Sequence, residues 1–368
     1  MQESTDVLVI GGGPAGLAAA IAARMKGFDV TVVDGAKPPI DKACGEGLMP
    51  TTMSALRELG VAIGPADGQA LRGVCFKDER TSVEANFSRA CGFGMRRTVL
   101  HQKMADRAQE CGINLLWNTT VSGLSEYGAK LGDRVYKAKW IIGADGVHSR
   151  VRRWVGLDPT RPQARRFAQR QHFRVKPWTD CMEIHWGDTA QAYVTPLSYD
   201  EICVVLISHE PCLRLRDAWQ KFPELGRRLE GVEATSAERG AATVSRSLRQ
   251  VYRGNVALTG DASGSVDAIT GEGLCLSFHQ ALELAKALAN GNLESYQRAH
   301  GQIAKRPMTM GRLLLLLDRY PSWRRRAFRG MAAEPELFAR LLATHLGETS
   351  PNFLAATGLR FGWQFLTV

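Results

Sequence analysis

The run Asp6-Val-Leu-Val-Ile10, Gly11-Gly-Gly-Pro-Ala-Gly16, Leu17-Ala-Ala-Ala-Ile-Ala-Ala-Arg-Met-Lys26 and Val30-Thr-Val-Val-Asp34 decides the fold. The apolar stretch ending at Ile10 reads as a buried parallel strand, and a glycine-rich turn follows it without a gap. The small residues 17–26 suit a tightly packed helix, stopped by Gly27, and Val30–Val33 forms the next strand. Strand, turn, helix, strand and terminal acid in this order make the βαβ dinucleotide fingerprint. Gly11 permits the tight turn, Gly13 lets the backbone approach a pyrophosphate, and Gly16 allows close helix–strand packing. Pro14 and Ala15 complete the loop. The helix start offers free N–H groups and a partial positive charge to phosphates. Asp34 is placed to accept hydrogen bonds from an adenosine ribose.

FAD and NAD share this fingerprint, and two later segments favour FAD. Trp140-Ile-Ile-Gly-Ala-Asp-Gly146 is a short strand running into Asp145. Asn255-Val-Ala-Leu-Thr-Gly-Asp261 is another, after which Thr270-Gly-Glu-Gly-Leu274 opens an amphipathic helix. An acid at a strand end, Asp145 or Asp261, can bind ribityl hydroxyls. A helix start at Gly271, Gly273 and Leu274 can donate N–H groups to the pyrimidine edge of a flavin and favour its anionic reduced form.

The remaining sequence narrows the class. At 368 residues, 45% hydrophobic and 23% charged, the chain has room for about two domains and reads as globular. No apolar run reaches the roughly 18 to 20 residues of a membrane span, and the first residues lack signal-peptide character. Eight cysteines without a Cys-x-x-Cys pair give no metal or dithiol signature and suit a cytoplasmic protein. The net charge of +10 concentrates in residues 147–176, at +8, and 301–368, at +6. Neither segment carries a nucleic-acid reader module, so no nucleic-acid partner is expected; a solvated face and a binding role are equally open for both. A second fingerprint is absent, so NADPH or NADH would act as a transient reductant. The Trp-x-Trp-x-Ile-Pro motif of tryptophan halogenases is absent too.

At these residues the chain resembles a known group. Gly11–Gly16, Gly143-Ala-Asp-Gly146 and Gly260-Asp-Ala262 are similar to the three motifs of flavoprotein aromatic hydroxylases and their relatives. Finer detail resembles the geranylgeranyl reductase family. Gly264 and Ala268 stand where aromatic hydroxylases carry His and Pro, and Lys42-Ala-Cys-Gly-Glu-Gly-Leu48 resembles that branch's Cys-Gly-Gly segment. The resemblance covers about residues 1–300. It implies that Cys44 and Gly45 lie beside the flavin, that Arg97 touches the FAD phosphates, and that Gly260 and Asp261 belong to the flavin site.

The implied architecture is α/β. It comprises a Rossmann-like FAD-binding domain with an inserted antiparallel β-sheet substrate domain and a helical C-terminal region. The discontinuous FAD domain takes 1–70, 95–155 and 250–300, the substrate domain 71–94 and 156–249, and the C-terminal cap 301–368. Strands are expected at 171–175, 181–186, 190–194 and 202–207.

Candidate chemistry is sparse. Cys44 reads first as a small buried residue permitting close approach, and second as a thiol proton donor. Glu46 reads as a solvated loop carboxylate rather than an acid near the ring. His172, His185 and Tyr193 lie on the expected substrate sheet, where packing or hydrogen-bonding roles compete with catalysis. In 312–329, leucines, Trp323 and Phe328 stand beside clustered arginines. The pattern suits a cap over a hydrophobic tunnel, or peripheral contact with anionic lipid. Either favours a lipophilic small-molecule substrate. The expected activity is FAD-dependent reduction of a prenyl or related lipophilic compound, driven by NAD(P)H. The alternative is a single-component monooxygenase hydroxylating a hydrophobic phenolic; a flavin-dependent halogenase and a non-catalytic flavin carrier follow. The sequence leaves the oligomeric state open.

Overall fold

The computed structural model describes residues 4–157 and 165–349; the sequence segments 147–176 and 301–368 therefore fall partly outside the described residues. Ten α-helices occur among them: α1 (Pro14–Met25), α2 (Pro50–Glu58), α3 (Arg97–Glu110), α4 (Arg150–Trp154), α5 (Leu215–Ala218), α6 (Pro223–Leu229), α7 (Gly273–Ala289), α8 (Leu293–Arg319), α9 (Pro321–Ala333) and α10 (Pro335–His345).

The strand Ser4–Ile10 lies at the centre of a mostly parallel sheet. It pairs in parallel with Val30–Val33 on one side and Arg134–Gly143 on the other, with Val9 opposite both Val32 and Ile142. Val256–Leu258 extends the parallel set beyond residues 141–143, and Asn114–Leu116 beyond residues 31–33. Burial on both faces explains the unbroken apolar runs. Helix α1 is buried at Pro14 and at every residue from Gly16 to Ala23. Its alanines let it pack closely against α3 and α7 as well as the sheet. At Gly16 a Cβ would lie 1.8 Å from the Gly11 carbonyl oxygen, so only glycine fits that crossing.

A second sheet has seven strands in the order Arg239–Val244, Arg165–Arg174, Glu201–Ser208, Ala190–Pro196, Cys181–Trp186, Gly73–Lys77, Ser82–Asn86. It is antiparallel except where Gly73–Lys77 runs parallel to Cys181–Trp186. The flanking short strands Gln69–Leu71 and Gly92–Gly94 join Gly47–Leu48 in a small separate sheet, which brings the 44–48 loop against the end of the larger one. Each expected strand is present: 181–186 with the same bounds, 190–194 and 202–207 extended by one or two residues, and 171–175 starting earlier, at Arg165, and ending at Arg174.

The C-terminal helices close the opposite side. Phe328, Met331, Phe338 and Leu342 pack with Val74, Ile184, Tyr193 and Val205 of the second sheet. Helix α8 starts at Leu293, where Asn292 caps it by accepting from the backbone N–H groups of Glu294 and Ser295. Pro321 separates α8 from α9, where it occupies the first turn. No helix of the described residues is long and apolar enough to cross a membrane.

Candidate active site

A cavity of about 1120 Å³ begins at the glycine loop, passes the 42–47 segment and the 261–274 segment, and continues between the second sheet and α8–α10. Its first half is made of backbone and charge. Gly13 lines it, and a Cβ built there meets nothing within 4 Å. The helix behind this space has Gly13 as its cap residue, no side-chain cap and no acid in its first turn. The N-terminus of α7 points into the same cavity through Gly273 and Leu274, also without a side-chain cap. Two uncapped helix starts on one cavity offer unpaired N–H groups and positive potential to an anion.

The side chains agree with the backbone. Arg97 and Lys42 line the cavity, and neither forms an ion pair with a carboxylate among the described residues. The Arg97 Nε is buried without a partner, a cost that an anionic ligand would remove. Asp34 ends its strand beside the glycine loop, where its carboxylate accepts from the Gly12 and Ala36 N–H groups at 2.6 and 2.7 Å. His101 of α3 steadies the loop from below through the Gly12 carbonyl, at 2.8 Å. These residues fit a dinucleotide with its pyrophosphate over Gly13, Lys42 and Arg97.

The two strand-end acids part company. Asp261 lines the cavity, and enclosure there pushes its carboxyl pKa up against the pull of Lys42, Arg97 and Arg152. Asp145 is partly engaged elsewhere. Its Oδ2 accepts from the backbone N–H groups of Arg150 and Val151, at 2.6 and 3.1 Å, at the start of α4. Its Oδ1 is buried without a partner, between Ala144 and Gly146, which line the cavity.

The 260–274 segment is fastened from behind by two helices. Gln280 of α7 accepts from the Gly260 N–H at 2.9 Å, and Ser263 meets His300 of α8 at 2.9 Å. Gly271 turns the chain in a left-handed conformation, φ 65°, just before α7.

The Cys44 loop also departs from expectation. Glu46, expected in solvent, is 3% exposed and sits at φ 59°. Its Oε1 accepts from the Arg97 N–H at 2.9 Å, and its Oε2 faces His172 Nε2 at 2.7 Å. His172 Nδ1 lies 3.1 Å from Arg170 Nη1. Arginine can only donate, so Nδ1 accepts and Nε2 carries the proton given to Glu46. Glu46, His172 and Cys203 have ligand atoms within 4.8 Å of one another, a spacing that could hold a metal. The protonated Nε2 and the adjacent guanidinium instead make the group a hydrogen-bonded clamp. Thr195 strengthens it by donating to the Gly45 carbonyl at 2.8 Å. Three strands of the second sheet thereby hold Cys44, Gly45 and Glu46 at the cavity wall. Burial pushes the Cys44 thiol pKa up, with Arg97 pulling the other way.

Beyond this loop the cavity turns apolar. Met182 and Ile184 line it from one strand, Phe76 from the strand paired with it, and Val205 and Ile207 from a third, with Phe338 and the leucines of α8 on the facing side. Tyr193 is part of the wall; its hydroxyl donates to Gln191 Oε1 at 3.1 Å, and burial raises its pKa. His185, a candidate from the sequence, is placed away from the cavity. Side chains alternate along a strand, so with Met182 and Ile184 facing the cavity, His185 lies on the other face, bonded to Glu183 at 3.0 Å.

Sequence reading missed Lys42, the Glu46–His172 pair, and a buried cluster in which Arg166 binds Asp267 and Asp318. Gln191 also donates to Asp318, at 3.0 Å. The cluster ties the flavin-side segment to the second sheet and α8, and its members are too far apart in sequence to form a motif.

Comparison with known proteins agrees with this geometry. Residues 4–185 match the family model of the FAD binding domain. The chain is 29% identical over 318 residues to the digeranylgeranylglycerophospholipid reductase of Methanocella arvoryzae, covering 79% of each chain. It is 26% identical over 307 residues to the menaquinone reductase of Mycobacterium tuberculosis, covering 74% of each. Its fold matches that of a flavoprotein/dehydrogenase from Cytophaga hutchinsonii at a TM-score of 0.80, with 21% identity over 93% of each chain.

Proposed function

Because the chain is an FAD-dependent oxidoreductase of the geranylgeranyl reductase family, we propose that it reduces carbon–carbon double bonds in the prenyl chain of a lipophilic substrate, with NADPH or NADH as transient reductant. The observation carrying this reading is the single cavity that joins a glycine- and cation-lined end to a long apolar arm. A polyprenyl chain is flexible, narrow and without hydrogen-bonding groups, and the arm offers it branched and aromatic side chains. The two curated relatives are named for compounds with prenyl chains.

When bound and reduced by NADPH or NADH, FAD would supply the hydride equivalent. The protein's residues supply position and the proton. Lys42, Arg97 and the start of α1 would hold the pyrophosphate, while Asp261 and the start of α7 would hold the ribityl and pyrimidine portions. The Glu46–His172 clamp fixes the loop that carries Cys44 against the cavity. Because its pKa is raised, Cys44 keeps its proton, and it is the residue we assign to protonate the second alkene carbon. Tyr193 commits its hydroxyl to Gln191 and shapes the wall. His185 has no part in the chemistry. The apolar lining of the arm excludes water.

The test uses the purified flavoprotein without oxygen. NADPH or NADH should bleach the visible flavin absorbance, and a geranylgeranyl lipid should restore it while gaining two hydrogens for each bond reduced. Cys44→Ala should keep the flavin and lose most of this turnover. A product that gains an oxygen atom in air, with no saturation in its absence, would replace this reading with hydroxylation.

A further inference from the structure

We propose that the face formed by the end of α8 and the start of α9 docks on an anionic phospholipid bilayer, with the mouth of the apolar arm against the membrane. Large apolar side chains are exposed here together. Leu313 is 52% exposed, Leu316 41%, Tyr320 38% and Trp323 46%. On α8, positions 313 and 316 fall on one stripe by helical spacing, and Tyr320 follows at the end of the helix. Leu313, Leu316 and Trp323 also line the cavity. Residues both exposed and cavity-lining mark a place where the apolar arm opens outward.

The charge around this stripe has one sign. Between residues 301 and 333 seven Lys and Arg side chains are exposed. The single acid of that stretch, Asp318, is buried against Arg166. Arg312 and Arg319 stand four residues before and three after Leu316, and so flank it on the helix surface. Neither they nor Arg326 has an ion-pair partner among the described residues. The buried Arg324 of α9 is already paired, with Asp188 of the neighbouring hairpin. The Arg319 guanidinium lies over the Tyr320 ring, 5.5 Å from its centroid, which leaves its charge free of any carboxylate among the described residues. Exposed leucine and aromatic rings bordered by arginines without an ion-pair partner suit an element lying in the headgroup region of an anionic leaflet. A protein partner needs complementary shape; a fluid, negatively charged surface needs only this distribution. Binding to the bilayer stands independently of the reaction. That the mouth takes up its substrate there rests on the prenyl-reductase reading.

Co-sedimentation of the full-length flavoprotein with vesicles tests the surface without any turnover. Vesicles of phosphatidylcholine containing phosphatidylglycerol should pellet the protein, pure phosphatidylcholine should not, and high salt should release it. Arg312→Glu, Arg319→Glu and Arg326→Glu combined should weaken binding by at least roughly 100-fold, since about 1 kcal/mol per cation is a factor of about five. The flavin content and melting temperature should stay unchanged. Leu313→Ser with Leu316→Ser should weaken binding in the same assay with the flavin retained. No pelleting with anionic vesicles, or equal pelleting with neutral ones, overturns the proposal. So does a dimer in gel filtration that the two serine substitutions dissociate, because the face would then be a contact between copies. If vesicles are bound but no prenyl chain is reduced, the docking stands and the proposed reaction falls.

Discussion

The two ends of the cavity are built on opposite plans. At the flavin end the wall is backbone: glycines, two helix starts, and the cations Lys42 and Arg97, which have no ion-pair partner among the described residues. In the distal arm it is side chain: Val74, Phe76, Ile184 and Val205 from three strands of the second sheet, with leucines of α8 and α10. The first plan binds one ligand shape, because N–H groups and glycine gaps sit at fixed positions along the chain. The second binds a class of ligands, because apolar burial is non-directional and tolerates length and branching. One protein can therefore hold a constant cofactor and a variable substrate in the same space.

The sharpest way to break this contrast lies within the glycine loop. Gly16→Val should prevent folding, since even a Cβ there would lie 1.8 Å from the Gly11 carbonyl oxygen; soluble expression and circular dichroism would report it. Gly13→Val should fold normally, because its Cβ faces open cavity. Its FAD affinity should drop by at least roughly 1000-fold, about 4 kcal/mol, as measured by flavin retained through gel filtration. Three residues apart, one glycine serves the fold and the other serves the ligand. Normal flavin content in the Gly13 variant would remove the pyrophosphate from that loop.

The same contrast explains what the sequence could reveal. The flavin end is made of consecutive residues, 11–16, 143–146 and 260–274, and a local turn writes a local motif. The distal arm depends on Gly73–Lys77 lying parallel to Cys181–Trp186, a pairing across about a hundred residues that leaves no pattern in either segment. His185 was a plausible candidate because only the register decides whether it or Ile184 faces the cavity. Nor does the sequence show that one oxygen of Asp145, an acid just past a strand end, serves the first turn of α4 while the other stays buried without a partner. Glu46 looked solvated because its polar loop folds back onto the second sheet to reach His172, a residue 126 positions away.

In the distal arm, Ile184→Trp should fill space without disturbing the cofactor. Its side chain faces the cavity midway between Met182, near the flavin loop, and the aromatic group of Phe76, Trp186 and Phe328. Turnover of a long prenyl substrate should fall roughly 100-fold, the scale expected when a substrate is displaced by about an ångström. Flavin content should remain that of the wild type. A parallel loss of FAD would mean that the two ends are not separable.

The smallest expected effect concerns pH. His300 of α8 reaches Ser263 behind the flavin segment at 2.9 Å, and burial lowers its pKa to about 4 from an ordinary value near 6.5. The folded state holds this ring neutral, whereas the unfolded chain protonates it below about pH 6.5. Its contribution is therefore complete above that value and lost as pH falls towards 4, by at most about 3 kcal/mol. Side chains of the distal arm that hold only by apolar contact carry no such dependence, so acid should loosen the flavin end first. The difference in urea stability between pH 7 and pH 5 should be smaller for His300→Gln than for the wild type, and acid-induced FAD release should shift in parallel. Identical pH profiles for the two proteins would show that this latch does not set the acid response, and the carboxylates around Arg166 would have to be tried in its place.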